Sequence, residues 1–269
     1  MKRTVVFLVI FGLATMFVSA QKRETRQVSG FTGIDASSVF DITVSKGATE
    51  SLVIEADDNV MQYVRSEVRN GVLHLYLDRA ADRNLRNIRT LKASVVMKDL
   101  DKVSLSGVSK LTTNDLFTPN SFTGNCSGVS NLTVNVNTGT LNIEASGVSK
   151  IQLKANVTGD AKLSVSGTSN TQAELKAQNV RSNSSGTSKI DLTGSATDIR
   201  IEVSGTSKFQ AENFTVKNAT VNSSGAGNVT IHVTDNLTVN SSGASNVNYK
   251  GSPVINFNSS GAAKIRSIN

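Results

Sequence analysis

From residue 101 to residue 269 the apolar residues fall on alternate positions, and the alternation breaks at regular intervals on the same short polar stretch. Counting backward from the serine of each Ser-Gly pair, the fifth residue is usually apolar: Phe122, Leu141, Ala161, Val180, Ile199, Ala219, Leu237 and Ile255. The third is mostly apolar too (Val103, Ile143, Leu163, Ile201, Val221, Val239, Phe257). Polar residues are interleaved with them, among them Ser104, Asn125, Glu144, Ser164, Asn183, Glu202, Asn222, Asn240 and Asn258. A two-residue period is that of a strand with one buried face. A second strand opens at the fifth residue after the serine, with Leu111, Leu132, Ile151, Ile190, Phe209, Val229, Val247 and Ile265, and Thr171 as the exception. Val134, Leu153, Leu192, Ile231 and Tyr249 follow two residues later and face the same way.

Between the two strands lies a glycine, at Gly107, Gly128, Gly147, Gly167, Gly186, Gly205, Gly225, Gly243 and Gly261, and successive glycines are 18 to 21 residues apart. A residue without a Cβ between two inward-facing strands permits a sharp corner or a positive φ. The nine copies therefore read as strand, corner, strand and variable connection, which is one coil of a parallel β-helix with coils of about 19 residues. A single coil cannot bury its own apolar face, whereas coils stacked at about 4.8 Å make a rod of roughly 40 Å with one continuous core.

Two further columns follow from the register. The residue after each glycine runs Val108, Val129, Val148, then Thr168, Thr187, Thr206, then Ala226, Ala244, Ala262. Shared duplication history and a ladder of like side chains filling the same lateral space both account for this run. Two residues on, Lys110, Asn131, Lys150, Asn170, Lys189, Lys208, Asn228, Asn246 and Lys264 form a column whose parity places it outward, and it is the candidate interaction surface. Asparagine between lysines dilutes the repulsion that stacked lysines would feel, and outward charge discourages lateral aggregation.

Residues 21–100 are organised differently and read as an irregular, β-rich N-terminal portion that covers the first coil, with a separate domain as the alternative. Val39 to Val44 and Leu52 to Ala56 read as strands. Asp57-Asp58-Asn59 offer N-caps to a short helix with Val60, Met61, Val64 and Val68 on one face, stopped by Asn70-Gly71. Leu73, Leu75 and Leu77 form a further strand, Ala80 to Arg89 a charged exposed loop, and Leu91 to Met97 resumes the β pattern.

The first twenty residues are set apart by composition. A basic Met1-Lys2-Arg3, an apolar run from Val5 to Val18 and small residues at Val18-Ser19-Ala20 form the pattern of a cleaved export signal. The run is shorter than the roughly 20 residues that a bilayer core requires. No cysteine follows it, so no lipoprotein anchor is expected, and Cys126 is the only cysteine, so no intrachain disulfide forms. The formal charge of +7 is modest once Lys2 and Arg3 are set aside, and the basic residues are scattered, which excludes a nucleic-acid footprint.

"VSGFTGIDASSVFDITVSKG" (Val28–Gly47), the short helix, "NGVLHLYL" (Asn70–Leu77) and "LSGVSKL" (Leu105–Leu111) resemble the bacterial family described as putative auto-transporter adhesin, head GIN domain. The resemblance covers nearly the whole chain after residue 20. It implies a right-handed β-helical protein, secreted or in the cell envelope of a Gram-negative bacterium, with adhesion as the family's proposed role. It transfers no catalytic residues.

Few side chains stand in an arrangement that carries chemistry. Glu144 and Glu202 share one outward column but lie three coils apart, about 14 Å at strand spacing, too far for a glycosidase pair. Asp160, Asp191 and Asp198 fall in connections, and His74 and His232 lie far apart on outward positions with no zinc spacing. The repeated Ser-Gly is not a nucleophile elbow, and the recurrent aspartate of calcium β-rolls is missing. Only Thr168, Thr187 and Thr206 could form a threonine array. With Trp absent and only Tyr63, Tyr76 and Tyr249 present, a dedicated carbohydrate site is not supported.

The expectation is an all-β, exported, non-enzymatic solenoid without cofactor or metal, in the periplasm, on the outer-membrane surface or secreted. It would present a polar surface to an extracellular or envelope protein or glycan, with no transmembrane anchor after signal cleavage. One alternative is a carbohydrate-active enzyme near Asp57, Asp58, Arg65, Glu67, Arg69 and Asp78. Another is end-to-end self-assembly through the C-terminal end, where Ile265 and Ile268 lie.

Overall fold

The computed structural model describes residues 21–81 and 88–268. The expected export signal (residues 1–20), residues 82–87 of the charged loop and Asn269 lie outside the described residues. The described chain is a β-solenoid of about nine turns on an irregular N-terminal sheet. The N-terminal elements are β1 (Gln21–Arg26), β2 (Gly33–Ala36), β3 (Asp41–Lys46), β4 (Ser51–Asp57), α1 (Asp58–Met61), β5 (Val64–Arg69), β6 (Val72–Leu77) and β7 (Leu91–Met97). The lower coils are built from β8 (Lys102–Leu105), β9 (Lys110–Phe117), β10 (Ser121–Cys126), β11 (Asn131–Thr138), β12 (Thr140–Ala145), β13 (Lys150–Val157) and β14 (Asp160–Val165). Above them come β15 (Asn170–Ser184), β16 (Lys189–Val203), β17 (Lys208–Ser223), β18 (Asn228–Ser241), β19 (Asn246–Lys250), β20 (Val254–Ser259) and β21 (Lys264–Ser267).

Two parallel stacks meet at the corners. On one side β8, β10, β12, β14 and the later halves of β15 to β18 lead up to β20; on the other, β9, β11, β13 and the earlier halves of β15 to β18 lead up to β19 and β21. The connections vary as the lengths imply. In the lower coils they are turns, whereas β15 to β18 run without a break from one stack into the other.

Each corner glycine sits at positive φ, from +68° to +81°. The glycines form one column, and the amide after each reaches the glycine carbonyl one coil below, as in Val148 N–H to Gly128 at 2.8 Å and Thr187 N–H to Gly167 at 2.9 Å. The column extends below Gly107, where Val108 N–H bonds Ser38 O and Ser38 takes the corner with φ +79°. Accordingly β2 and β3 lie in parallel register beneath β8 and β9, with Asp35 against Ser104 and Asp41 against Lys110. Val39 stands under Val108 on the ridge of corner tips.

Below β2 and β3, strands β6 and β7 still pair parallel to them, and beyond these two strands the pairing turns antiparallel. On one side β4 pairs β7 and β1 pairs β4; on the other β5 pairs β6. Here the sequence expectation needs correcting. The helix is a single turn, Asp58–Met61, and Val64–Arg69 is strand β5. Asn70 (φ +51°) and Gly71 (φ +74°) do not stop a helix but make the two-residue turn of a β5–β6 hairpin. Val64 and Val68 are spaced four apart, which suits either a helix face or one face of a strand, and pairing with Leu77 and Leu73 decides for the strand.

The inward residues form one contiguous core, with Phe31, Phe40, Phe117, Phe122, Phe209 and Phe214 its largest fully buried side chains. The core has a polar seam that alternation alone does not reveal. The last serine of the corner motif, Ser109, Ser130, Ser149, Ser169, Ser188, Ser207 and Ser245, is buried in every case. These hydroxyls bond one another and the corner carbonyls, as in Ser188 to Ser207 at 3.2 Å and Ser149 to Ser146 O at 2.6 Å. Burial without such partners would cost a few kcal/mol each.

A polar trough beside the corner ridge

The first-strand stack places its outward residue two before each Ser-Gly in a continuous register. It runs Glu67, His74, Asp35, Ser104, Asn125, Glu144, Ser164, Asn183, Glu202, Asn222, Asn240 and Asn258. The chain bends at the serine that opens each corner, so this column and the serines Ser106, Ser127, Ser146, Ser166, Ser185, Ser204, Ser224, Ser242 and Ser260 face one another across a trough of about 1200 Å³. From Asp35 to Asn258 it crosses ten rungs, roughly 45 Å at strand spacing.

Hydroxyls, amides and widely spaced carboxylates line it, together with Leu105, Cys126, Ala145, Val165 and Val203. Asn258 Nδ2 donates to Asn240 at 3.3 Å and Asn240 Nδ2 to Asn222 at 3.0 Å, an amide ladder along the trough. Ser127 and Ser166 donate at 3.3 Å to Leu105 O and Ala145 O below. Arg200 donates to Glu202 at 2.9 and 3.0 Å, and Asn142 Nδ2 reaches Glu144 at 3.5 Å. Asn125 Oδ1 is buried with no hydrogen-bond partner among the described residues. Asp35, Glu144 and Glu202 recur every third rung, about 14 Å apart in the backbone ladder, which leaves no pair at glycosidase spacing in this trough.

Toward the N-terminal end the trough meets a smaller hollow of about 480 Å³ that also includes Asp35. Of the six charged residues singled out from the sequence, Arg65, Glu67, Arg69 and Asp78 line this hollow, and Asp57 and Asp58 do not. Arg65 pairs with Asp78 at 2.9 Å, and Arg69 pairs with Glu67, which also accepts from Tyr76 Oη at 2.8 Å. Arg69 and Tyr76 hold the Glu67 carboxyl below its ordinary range, while the same contact raises Tyr76. Asp57 is buried and accepts from the amides of Arg89 at 2.8 Å and Thr90 at 3.2 Å, a structural duty; Asp58 is exposed on α1. The cluster is thus largely paired within itself. His74 Nδ1 is 3.9 Å from Asp35, and among the described residues no three His, Cys, Asp or Glu side chains gather as a metal site would require.

The Lys110-to-Lys264 column lies on the other side of the corner, in the second-strand stack. It is in register from Asp41 through Lys110, Asn131, Lys150, Asn170, Lys189, Lys208, Asn228 and Asn246 to Lys264. Its members are exposed or half-buried, and several are engaged: Lys110 with Asp41 at 3.7 Å, Lys189 with Asp191 at 2.8 Å, Asn246 with Asn228 at 3.2 Å. The trough column is visible in the sequence as alternating polar residues, but nothing there marks it as lining a concavity. That depends on the sense of the bend at the serine.

The model of the family described as "Putative auto-transporter adhesin, head GIN domain" matches residues 30–159 and 154–253. The chain belongs to this family. Its fold recurs in a putative adhesin from Parabacteroides distasonis (TM-score 0.71, 22% identity, 93% of this chain and 98% of that one). It recurs too in a putative adhesin from Parabacteroides merdae (TM-score 0.70, 20% identity, 94% and 98%). A P. distasonis protein named as a putative lipid binding protein is similar to the same degree (TM-score 0.69, 18% identity, 94% and 98%). At these identities the likeness is one of fold. No curated protein matches the chain. Among the described residues no helix is long and apolar enough to cross a membrane.

Proposed function

We propose that this member of the adhesin family is an exported, non-enzymatic cell-envelope protein that holds an extended glycan along the trough. The observation that carries the reading is the unbroken polar register from Asp35 to Asn258, facing a row of corner serines. Each rung offers hydroxyl or amide groups at a rise of about 4.8 Å, whereas an extended peptide advances about 3.3 Å per residue and falls out of step. A hexopyranose ring in an extended glycan spans close to one rung. The scarcity of Tyr and Trp speaks against sugar stacking, and the trough supports recognition by hydrogen bonds instead. One structural relative is named a putative lipid binding protein, but at 18% identity the likeness is one of fold and that name does not guide this reading. The wide carboxylate spacing supports binding over hydrolysis.

The test is calorimetric titration against a panel of envelope and host-surface polysaccharides, with Ser166→Arg as a block at mid-trough and Lys150→Asn as a control beyond the corner. Saturable binding weakened at least tenfold by Ser166→Arg alone is expected. Turnover of a polysaccharide, no binding across the panel, or sensitivity only to Lys150→Asn would overturn the reading.

A further inference from the structure

The two ends of the rod are built differently. At the N-terminal end the outermost strand of one stack, among the described residues, is β1, which carries Lys22, Arg23, Glu24 and Arg26 and runs antiparallel to β4. Charge on an edge strand discourages further pairing. At the other end the last coil has two edge strands among the described residues: β21, which pairs only with β19 and carries Lys264 and Arg266, and β20, which pairs only with β18 and whose residues are neutral. Ile255 and Phe257 occupy the inward positions that Leu237 and Val239 fill one coil below, yet they are 39% and 36% exposed where those two are fully buried. Val254 beside them is 74% exposed.

The backbone of β20 is also half committed. The Ser260 amide bonds Ser241 O in the coil beneath. Alternate residues of a strand turn their N–H and C=O to opposite sides, so in register with β18 the groups of Val254, Asn256 and Asn258 point down and those of Ile255, Phe257 and Ser259 point to the open edge.

We propose that a second copy of this chain covers that edge, with β20 pairing antiparallel to β20 of the other copy about a twofold axis at Asn256. The triplet Ile255-Asn256-Phe257 is self-complementary in this register. Ile255 faces Phe257 of the other copy as a hydrogen-bonded pair, both with free edge groups, and the two inward side chains extend the core across the junction. Asn256 faces its own copy as a non-hydrogen-bonded pair, and Val254 faces Asn258, so no like charges meet along the strand. The charged N-terminal end cannot offer the same edge, so assembly closes at the dimer. One end of a rod is small against the roughly 800 Å² per partner of stable complexes, which makes the association reversible.

Sedimentation of the protein over the micromolar range should show a monomer–dimer equilibrium with no larger species, weakened at least tenfold by Phe257→Lys. The second measurement does not touch the core. Asn256→Cys brings two thiols together across the axis, within disulfide reach for an antiparallel pair, so mild oxidation should give a covalent dimer. Thr238→Cys, in the same column one coil lower, should not. Buried Cys126 does not compete. A monomer throughout the range, species beyond the dimer, or equal cross-linking of the two cysteine variants would overturn the proposal.

Discussion

A Cβ placed on Gly147 would lie 2.6 Å from the carbonyl oxygen of Gly128, one coil below. The same contact recurs up the column, at 2.6 Å for Gly167 over Gly147 and 2.8 Å for Gly186 over Gly167. The corner glycine is therefore required twice, by its positive φ and by the backbone beneath it.

Gly147→Ala should cost about 1–2 kcal/mol for the left-handed backbone and a further 1–3 or so for the shift it forces on the rung below. Gly30, at φ +74° with nothing within 4 Å of its notional Cβ, bears only the first cost. Urea unfolding of Gly147→Ala and Gly30→Ala should separate the two, with the corner variant clearly the less stable.

The buried serine seam makes opposite predictions at two sites. Ser188 Oγ contacts Ser184 Oγ at 2.7 Å and Ser207 Oγ at 3.2 Å, so Ser188→Ala should destabilise by about 1–3 kcal/mol. Among the described residues Ser223 Oγ is buried with no partner, because the position four residues on is Gly227 where Ser184 and Ser241 find Ser188 and Ser245. Ser223→Ala should be neutral or raise stability by up to about 1 kcal/mol. Thermal unfolding of the two variants reads both signs.

Burial pushes the Cys126 thiol from 9.0 up to about 11, partly offset by a bond to Ser130. The unfolded chain releases this proton at lower pH than the folded one, so the contribution to stability is whole below pH 9 and is lost as pH rises toward 11. Cys126→Ala should flatten the alkaline limb of the stability curve. In the native protein the thiol should resist alkylation near neutral pH and react at the rate of unfolding, measured by mass spectrometry.

Asn170 separates Lys150 from Lys189 in the outward column, and Lys208 follows directly. Asn170→Lys would stack four lysines in successive rungs and should destabilise by a few tenths to about 1 kcal/mol at low salt. Added salt should recover most of the loss, because exposed charges at this spacing are screened. Melting temperatures with and without salt provide the check.

The repeat was legible from the sequence because each coil states it in full: inward residues at two-residue spacing, a glycine where φ turns positive, and the same order nine times over. The coil beneath the first of these was hidden, since Ser38 stands where the later corners have glycine and Phe40 where they have serine. The β5 strand was hidden for a different reason. Val64 and Val68 satisfy helical and strand periods equally in so short a segment, and only the antiparallel partner β6 breaks the tie.

What the sequence determined by itself is the coil: which residues face in, where the chain turns, and which side chains share a vertical row. Alternation and left-handed backbone are local properties, and local residues specify them. Only the tertiary structure decided that the row from Asp35 to Asn258 lines a trough while the row from Lys110 to Lys264 lies on the far side of the corner. It also decided that one end of the rod is closed by charged antiparallel strands and the other left with Ile255 and Phe257 open. Concavity and closure depend on the sense of each bend and on which strands meet across long stretches of chain, and no window of neighbouring residues contains that information.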